Sequence, residues 1–368
     1  MEITAAVTRA KSAPFQIEQV ELEAPRANEV LVRMVASGIC HSDIGARDQI
    51  LPIPLPIVLG HEGAGVVEAV GTAVTKLSVG DHVVLSRLSC GQCGECAAGR
   101  SNFCVHITGL NLGGCRPDGS TGLCAAGERL NGRFFGQSSF ATHALAHERN
   151  ATPIDPGFDL RLAPAFACGT LTGAGAVLNG LKPEIGSSIA IFGAGAVGLA
   201  ALLAAVAVGC TTIIAIDRNA QRLALARELG ATHVVQAGDV PLAQAVRAIV
   251  PTGVDFSIEA TGVADVARAA ADCLCAGGTC GLLGIGPMGQ EVRFDHLQLA
   301  LMGVAVRGFP TGIAEPDLLI PRLIALHAAG RFPVERLVTH FPFHEINAAA
   351  TASCDGSAIK PILLFDTA

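Results

Sequence analysis

The chain has 368 residues, and at roughly 100–200 residues per domain two domains are expected. Half of the residues are hydrophobic and 15% are charged, which excludes a disordered chain. Lys+Arg 25 against Asp+Glu 32 gives a net charge of −7 with no basic block, and Trp and Tyr are absent, so a nucleic-acid partner or an anionic membrane surface is not expected.

The N-terminal stretch has no basic segment followed by an apolar run, so no secretory signal is expected and a cytoplasmic location is. Up to about residue 150 short apolar runs, Glu29–Val35, Gly65–Val70 and His82–Ser86, are separated by Gly, Pro and Asp turn signals. This predicts a β-rich, barrel-like or sandwich-like domain. Near residue 170 the pattern changes. Strands are predicted at Ser188–Phe192, Thr212–Ile216, Val234–Val235, Val254–Glu259 and Thr279–Leu283. Between them the spacing predicts helices over Val197–Val208, Asn219–Leu229 and Val240–Ile249, the second with Leu223, Ala226 and Leu229 on one face. Such alternation predicts a parallel sheet covered on both faces, and hence an α/β fold class. A helix over Pro316–Ala329 and a short strand at Pro361–Phe365 close the chain.

Ser188–Ile216 contains no charged residue and is long enough to span a bilayer. Glycines and threonines interrupt it, so a buried strand, glycine turn, buried helix and second strand are expected instead. The thirteen cysteines are an odd number in a long chain without a signal. Thiolate ligands and buried thiols are therefore expected rather than a disulfide framework.

Gly193-Ala-Gly195-Ala-Val-Gly198 follows an apolar strand and opens a helix, the context a dinucleotide-binding glycine motif requires. Gly193 permits the tight turn, Gly195 lets backbone approach a pyrophosphate, and Gly198 lets helix pack on strand. The helix N-terminus adds unsatisfied N–H groups and a positive dipole end. Asp217, 19 residues after Gly198, ends the next strand. A carboxylate there accepts from a ribose diol and repels a 2′-phosphate, which favours NAD over NADP. Arg218 beside it softens that preference.

Cys90, Cys93, Cys96 and Cys104 stand within 15 residues. Four thiolates satisfy tetrahedral zinc and leave no open position, which predicts a structural site, with an iron–sulfur cluster as the competing reading. Cys40-His41-Ser42-Asp43, Gly60-His61-Glu62 and Cys168-Gly-Thr170 are dispersed. Each has an ordinary reading as a buried thiol or a loop histidine, and spacing alone does not join them.

Along nearly its whole length, the chain resembles the zinc-dependent medium-chain alcohol dehydrogenases. Gly60-His61-Glu62-x2-Gly65-x5-Gly71-x2-Val74 resembles the zinc signature of that family, the four-cysteine loop its structural zinc lobe, and Gly193–Gly198 with Asp217 its cofactor fingerprint. Phe135-Gly-Gln-Ser-Ser-Phe-Ala and Arg47-Asp48-Gln49 look most like the aryl- and allylic-alcohol branch, such as benzyl alcohol and geraniol dehydrogenases. The resemblance implies a GroES-like catalytic domain, residues 1–170 and 312–368, with a Rossmann domain, residues 171–311, inserted between. It implies one catalytic and one structural zinc ion per chain, the former on Cys40, His61 and Cys168, with Asp43 orienting His61. Glu62 behind the metal is a transient ligand, an electrostatic tuner or a hydrogen-bonding partner. Ser42 is expected to relay the hydroxyl proton. Horse-liver-type members end that relay on a histidine where this chain has Gly45, which leaves His41 as the nearest titratable candidate, against a role for His41 in phosphate binding only or release of the proton straight to water. Thr172 and Val197 at the nicotinamide, Arg222 at the adenosine ribose and Lys360 at the pyrophosphate complete the implied set.

The implied activity is reversible, NAD-dependent oxidation of a primary aromatic or allylic alcohol to its aldehyde by a homodimer or homotetramer. A glutathione-dependent formaldehyde dehydrogenase needs a cationic patch, and segment 106–124 has only Arg116 and Asp118 as charges. A non-catalytic dinucleotide-binding member could lack the zinc ligands, whereas every matching position is filled here.

Overall fold

The strand Glu29–Gly38 is the spine of the first half of the chain, and eight of its ten residues are buried. In the computed structural model, which describes residues 1–365, it is flanked by antiparallel partners throughout. Gly63–Val70 runs along one edge, while His143–His147 and then Lys360–Leu364 share the other. A strand covered on both faces needs no polar alternation, which is why EVLVRMVASG reads as a near-continuous apolar run.

The chain divides into two compact units. The first comprises Met1–Cys168, Glu315–Pro321 and the chain from Glu335 onward. It holds a seven-stranded sheet in the order Ala151–Pro153, His82–Leu85, Gly63–Val70, Glu29–Gly38, Lys360–Leu364, Val338–Pro342, with His143–His147 also on the spine. A five-stranded sheet built on Glu2–Thr8 and Gln16–Leu22 completes it. Side chains from both sheets, among them Val7 and Val32, and from the loops between strands, among them Leu59, Phe134 and Phe140, form one core. The register sets Ile362 opposite Gly38, and the Ile39 N–H donates to Pro361 O at 2.9 Å. Strand pairing thus carries the last described strand to the segment that bears Cys40.

The second unit comprises Gly169–Ala314 and Arg322–Val334, so part of the segment expected in the first domain packs here. Its six strands are all parallel, in the order His233–Gln236, Thr212–Asp217, Ser188–Phe192, Val254–Glu259, Leu274–Leu282, Ala305–Gly308. Numbered along the chain from Ser188–Phe192, that is 3-2-1-4-5-6, the doubly wound Rossmann order. The helix Ala196–Val208 is apolar all round, and Gly198–Ala205 is buried, as a helix enclosed in its domain must be. Asn219 caps the next helix, Ala220–Glu228, accepting from the N–H groups of Gln221 and Arg222. The uncharged stretch is therefore strand, turn, helix and strand. Among the described residues no helix is long and apolar enough to cross a membrane.

At the start of the spine the buried Glu29 accepts from Arg116 Nε at 2.7 Å and Nη2 at 2.8 Å, with Arg133 Nη2 at 3.1 Å. Burial pushes this carboxyl up, but the Arg116 hydrogen bonds and the Arg133 charge outweigh it and hold it below its ordinary value. Its stabilising contribution is therefore complete above the unfolded value of about 4.3 and is lost as pH falls through the lower folded value. Glu29→Gln should cost about 3 kcal/mol at neutral pH, because it leaves the buried Arg133 without its carboxylate partner, while Arg116 keeps Glu23. Urea unfolding should show this difference narrowing as the pH drops below about 4.

Candidate active site

Cys40 is the N-cap of the short helix His41–Arg47, immediately after the spine strand, with extended φ and ψ of −121° and 157°. Asp43, in the first turn, is fully buried. One of its oxygens accepts from the Cys40 N–H at 2.9 Å. The other accepts from the Gly60 N–H at 3.1 Å and meets His61 Nδ1 at 2.9 Å. An ionised carboxylate only accepts, so a ring proton sits on Nδ1, and in the neutral ring the lone pair is on Nε2.

That lone pair is buried, and His61 Nε2 has no hydrogen-bond partner. Its neighbours are the thiols of Cys40 and Cys168 and the carboxylate of Glu62, with one ligand atom from each residue within 4.8 Å of all the others. An orphaned imidazole nitrogen among two thiols is the donor set that zinc prefers. The Cys168 thiol bonded to Cys40 holds the latter well below its ordinary value. That same bond, with burial, pushes Cys168 well up. Burial works against a charged His61, but Asp43, together with Cys40, outweighs it and raises the imidazole.

Lys360 stands elsewhere than expected. Its ammonium lies on Glu62 Oε2 and within 3.5 Å of Ile39 O, and the residue is 2% exposed. Burial pushes Glu62 up, with the Lys360 charge opposing it. The pair is self-contained, so Lys360 is not a free cation for a pyrophosphate. The register that brings Lys360–Leu364 beside the spine is the reason. Ser42 is half-buried, its Oγ 3.9 Å from Cys40 Sγ, and His41 is exposed.

Cys90, Cys93, Cys96 and Cys104 also bring their sulfurs within 4.8 Å of one another. All thirteen cysteines are free, so these four are thiols available as ligands. Backbone N–H groups converge on the loop. Cys90 N–H points to Cys104 Sγ at 3.4 Å and Cys93 N–H to Cys90 Sγ at 3.3 Å. Backbone N–H donors, those of Cys96 and Val105 foremost, lower the Cys93 thiol to about 6. Four sulfurs close a tetrahedral shell, the arrangement of a structural zinc.

In the second unit Gly193 adopts φ +98°, and a Cβ on Gly198 would collide with the Gly193 carbonyl oxygen. A Cβ on Gly195 would meet nothing nearer than Arg222 Nη1 at 4.0 Å, so the space over that backbone is open. Asp217 Oδ2 accepts from the Ala194 N–H at 2.7 Å and Oδ1 from the Asn219 N–H at 2.8 Å. The carboxylate therefore ties the glycine turn to the end of the neighbouring strand. Arg222 Nε is buried without a partner, while Arg218 is exposed. Gly173 packs against the Val197 carbonyl, and Gly312 against that of Thr172. An open cradle, a carboxylate at its rim and an unsatisfied guanidinium beside it fit a dinucleotide.

Two features were not singled out individually in the sequence. Phe135 stacks on the His61 ring, with centroids 4.4 Å apart and an interplanar angle of 25°. Gln137 donates to the His61 carbonyl at 2.9 Å. The only signal for either was the Phe135–Ala141 stretch as a whole.

The chain matches known families and is similar to known proteins over nearly its whole length. Residues 26–156 match the family described as alcohol dehydrogenase GroES-like domain, and residues 196–323 that described as zinc-binding dehydrogenase. Geraniol dehydrogenase of Castellaniella defragrans is 44% identical over 363 residues, 98% of this chain and 97% of the relative. The crystal structure of an alcohol dehydrogenase zinc-binding domain protein from Burkholderia ambifaria has a TM-score of 0.98 at 49% identity, covering 100% of both chains. That of benzyl alcohol dehydrogenase from Acinetobacter calcoaceticus has a TM-score of 0.97 at 42% identity, again covering 100% of both.

Gly198→Ala should drive the helix away from the glycine turn and weaken binding of a reduced nicotinamide dinucleotide, NADH or NADPH, by at least about tenfold, roughly 1.4 kcal/mol. Fluorescence titration with each nucleotide measures this, and the metal content of the variant should match that of the parent.

Proposed function

Because the chain belongs to the zinc-dependent alcohol dehydrogenase family, we propose that it oxidises a primary aromatic or allylic alcohol reversibly to its aldehyde. Alcohol and NAD become aldehyde, NADH and one proton. The observation that carries this reading is the buried, unpartnered His61 Nε2 among the Cys40 and Cys168 thiols. The substrate class rests on the geraniol and benzyl alcohol dehydrogenases to which the chain is similar over almost its full length.

When bound, zinc supplies a Lewis acid that makes the alcohol hydroxyl more acidic, and NAD supplies the hydride acceptor. Cys40, His61 and Cys168 would hold the metal. Two thiolates cancel the charge of a divalent ion, which makes a milder Lewis acid than three imidazoles would. Asp43 keeps the His61 proton on Nδ1, so Nε2 stays a ligand. Glu62, paired with Lys360, adds a carboxylate to the cluster without adding net charge. Ser42 accepts the hydroxyl proton and passes it outward. His41, exposed at the head of the same helix, is the nearest titratable group to receive it, with release straight to water as the alternative.

In the second unit the Gly193–Gly198 turn binds the pyrophosphate, and Asp217 accepts from the adenosine ribose diol. Arg222 stands at that ribose, with Thr172 and Val197 at the nicotinamide. The Asp217 carboxylate repels a 2′-phosphate, so NAD is preferred over NADP. The four-cysteine loop holds the structural zinc. We also propose that copies of the chain associate into a dimer or tetramer. Exposed Leu297, Leu301 and Met288, and a strand Ala305–Gly308 paired on one side only, support this. Against a glutathione conjugate as substrate, both charges of segment 106–124 are already engaged, Arg116 with Glu29 and Asp118 with Arg26.

The test is the initial rate of NADH formation with benzyl alcohol, geraniol and ethanol in parallel. A kcat/KM for benzyl alcohol or geraniol at least about tenfold above that for ethanol is expected, about 1.4 kcal/mol of transition-state discrimination. Ethanol equal or better would remove the aryl and allylic reading.

A further inference from the structure

We propose that the turn Arg133–Ser138 fixes the plane of the His61 imidazole, with Phe135 and Gln137 as positioning residues of the metal centre. The inference rests on the reading of His61 as a metal ligand and goes on to ask what aims it. The Asp43 bond to Nδ1 sets a direction within the ring plane. A single hydrogen bond leaves the ring free to rock about its own line, and rocking swings Nε2 away from the Cys40 and Cys168 sulfurs.

Two aromatic rings remove that freedom. Phe135 lies over one face of the imidazole, centroids 4.4 Å apart at 25°. Phe134 meets it edge-on, at 5.5 Å and 86°. Offset stacking and edge-to-face contact are the two favoured aromatic geometries, and together they leave the imidazole one orientation. Gln137 secures the backbone beneath. Its Nε2 donates to the carbonyls of His61 at 2.9 Å and Ser86 at 3.0 Å, and its Oε1 accepts from the Gly63 N–H at 3.1 Å. His61 and Gly63 flank Glu62, so one buried amide pins the backbone on both sides of it.

The turn is strained in a way that no simple connection requires. Arg133, Phe135 and Ser138 have φ of 63°, 50° and 60°, a left-handed conformation that side chains with a Cβ disfavour. Such strain persists only where the surroundings impose it. Here Arg133 Nη1 donates to Leu145 O at 2.7 Å, and Ser138 Oγ donates to Val58 O at 2.6 Å while accepting from the Phe134 N–H at 3.0 Å. Ser139 N–H and Phe140 N–H then bond to Gly60 O and Leu59 O, both at 3.0 Å, directly before His61. What the strain delivers is a phenyl face on the imidazole and an amide on its carbonyl.

The test uses the full chain and three variants. Phe135→Leu keeps an apolar side chain and removes the ring face, Phe135→Tyr keeps the face, and Gln137→Met keeps length without hydrogen bonds. Zinc content is measured after dialysis against graded chelator, and visible spectra are recorded after Co²⁺ replacement. The unmodified protein should hold about two ions per chain. Phe135→Leu and Gln137→Met should release one of them at about tenfold to hundredfold lower chelator strength, with shifted cobalt bands, while the other ion stays and Phe135→Tyr behaves as the parent. Unchanged release from Phe135→Leu and Gln137→Met, loss of both ions in parallel, or loss with Tyr as with Leu would overturn the proposal. A parent protein holding a single ion would instead remove the reading of His61 on which it rests.

Discussion

One buried carboxylate organises the cluster of Cys40, His61, Glu62 and Cys168. Asp43 has no exposed surface, and it receives the N–H groups of Cys40 and Gly60 as well as His61 Nδ1. A buried anion is tolerable only when donors replace the water it has lost, and these three do so. The three donors are also the end of a strand, a loop and a ring, so satisfying the charge assembles the site. Cys40 reaches the cluster because its own N–H caps the helix through Asp43, and His61 because Gly60 is held by the same oxygen. Geometry and electrostatics are here one requirement.

The two cysteine-containing clusters differ in how they are made. The four-cysteine loop draws its sulfurs from 15 residues, and backbone N–H groups of the same loop steady them. The other draws on a strand end, a loop, a distant cysteine and a carboxylate whose partner is 298 residues away. A closed shell suits the first. The second keeps an imidazole nitrogen with nothing to bond, a cost that only a ligand repays.

Local features were legible in the sequence and long-range ones were not. Gly193–Gly198 and Cys90–Cys104 each complete their geometry within a short segment. The parallel strands of the second unit were visible because buried strands are continuous apolar runs. The strand Leu274–Leu282 begins five residues before the predicted Thr279, because Gly277 and Gly278 break its apolar pattern. Glu2–Thr8 and Gln16–Leu22 were not predicted, and the second alternates with too many exposed positions to stand out. The helix His41–Arg47 was missed because seven residues, one of them glycine, carry little propensity signal. Lys360 was expected at the pyrophosphate, whereas strand pairing buries it against Glu62. Gln137 and Phe135 had no signal of their own, since what makes them useful is a left-handed turn that side chains with a Cβ disfavour.

The position of Lys360–Leu364 in the spine sheet bears on the order of events during synthesis. The four-cysteine loop has all its ligands once residue 104 has emerged, so it can capture its ion while the chain is still growing. The second cluster lacks a thiol until residue 168, and Glu62 lacks its counter-charge until residue 360. Domains form from the N-terminus during translation, and contacts of this separation close late. Cys40, His61 and Cys168 are thus all present long before the strand Lys360–Leu364 is made, and only the charge on Glu62 waits for that strand to pair with the spine.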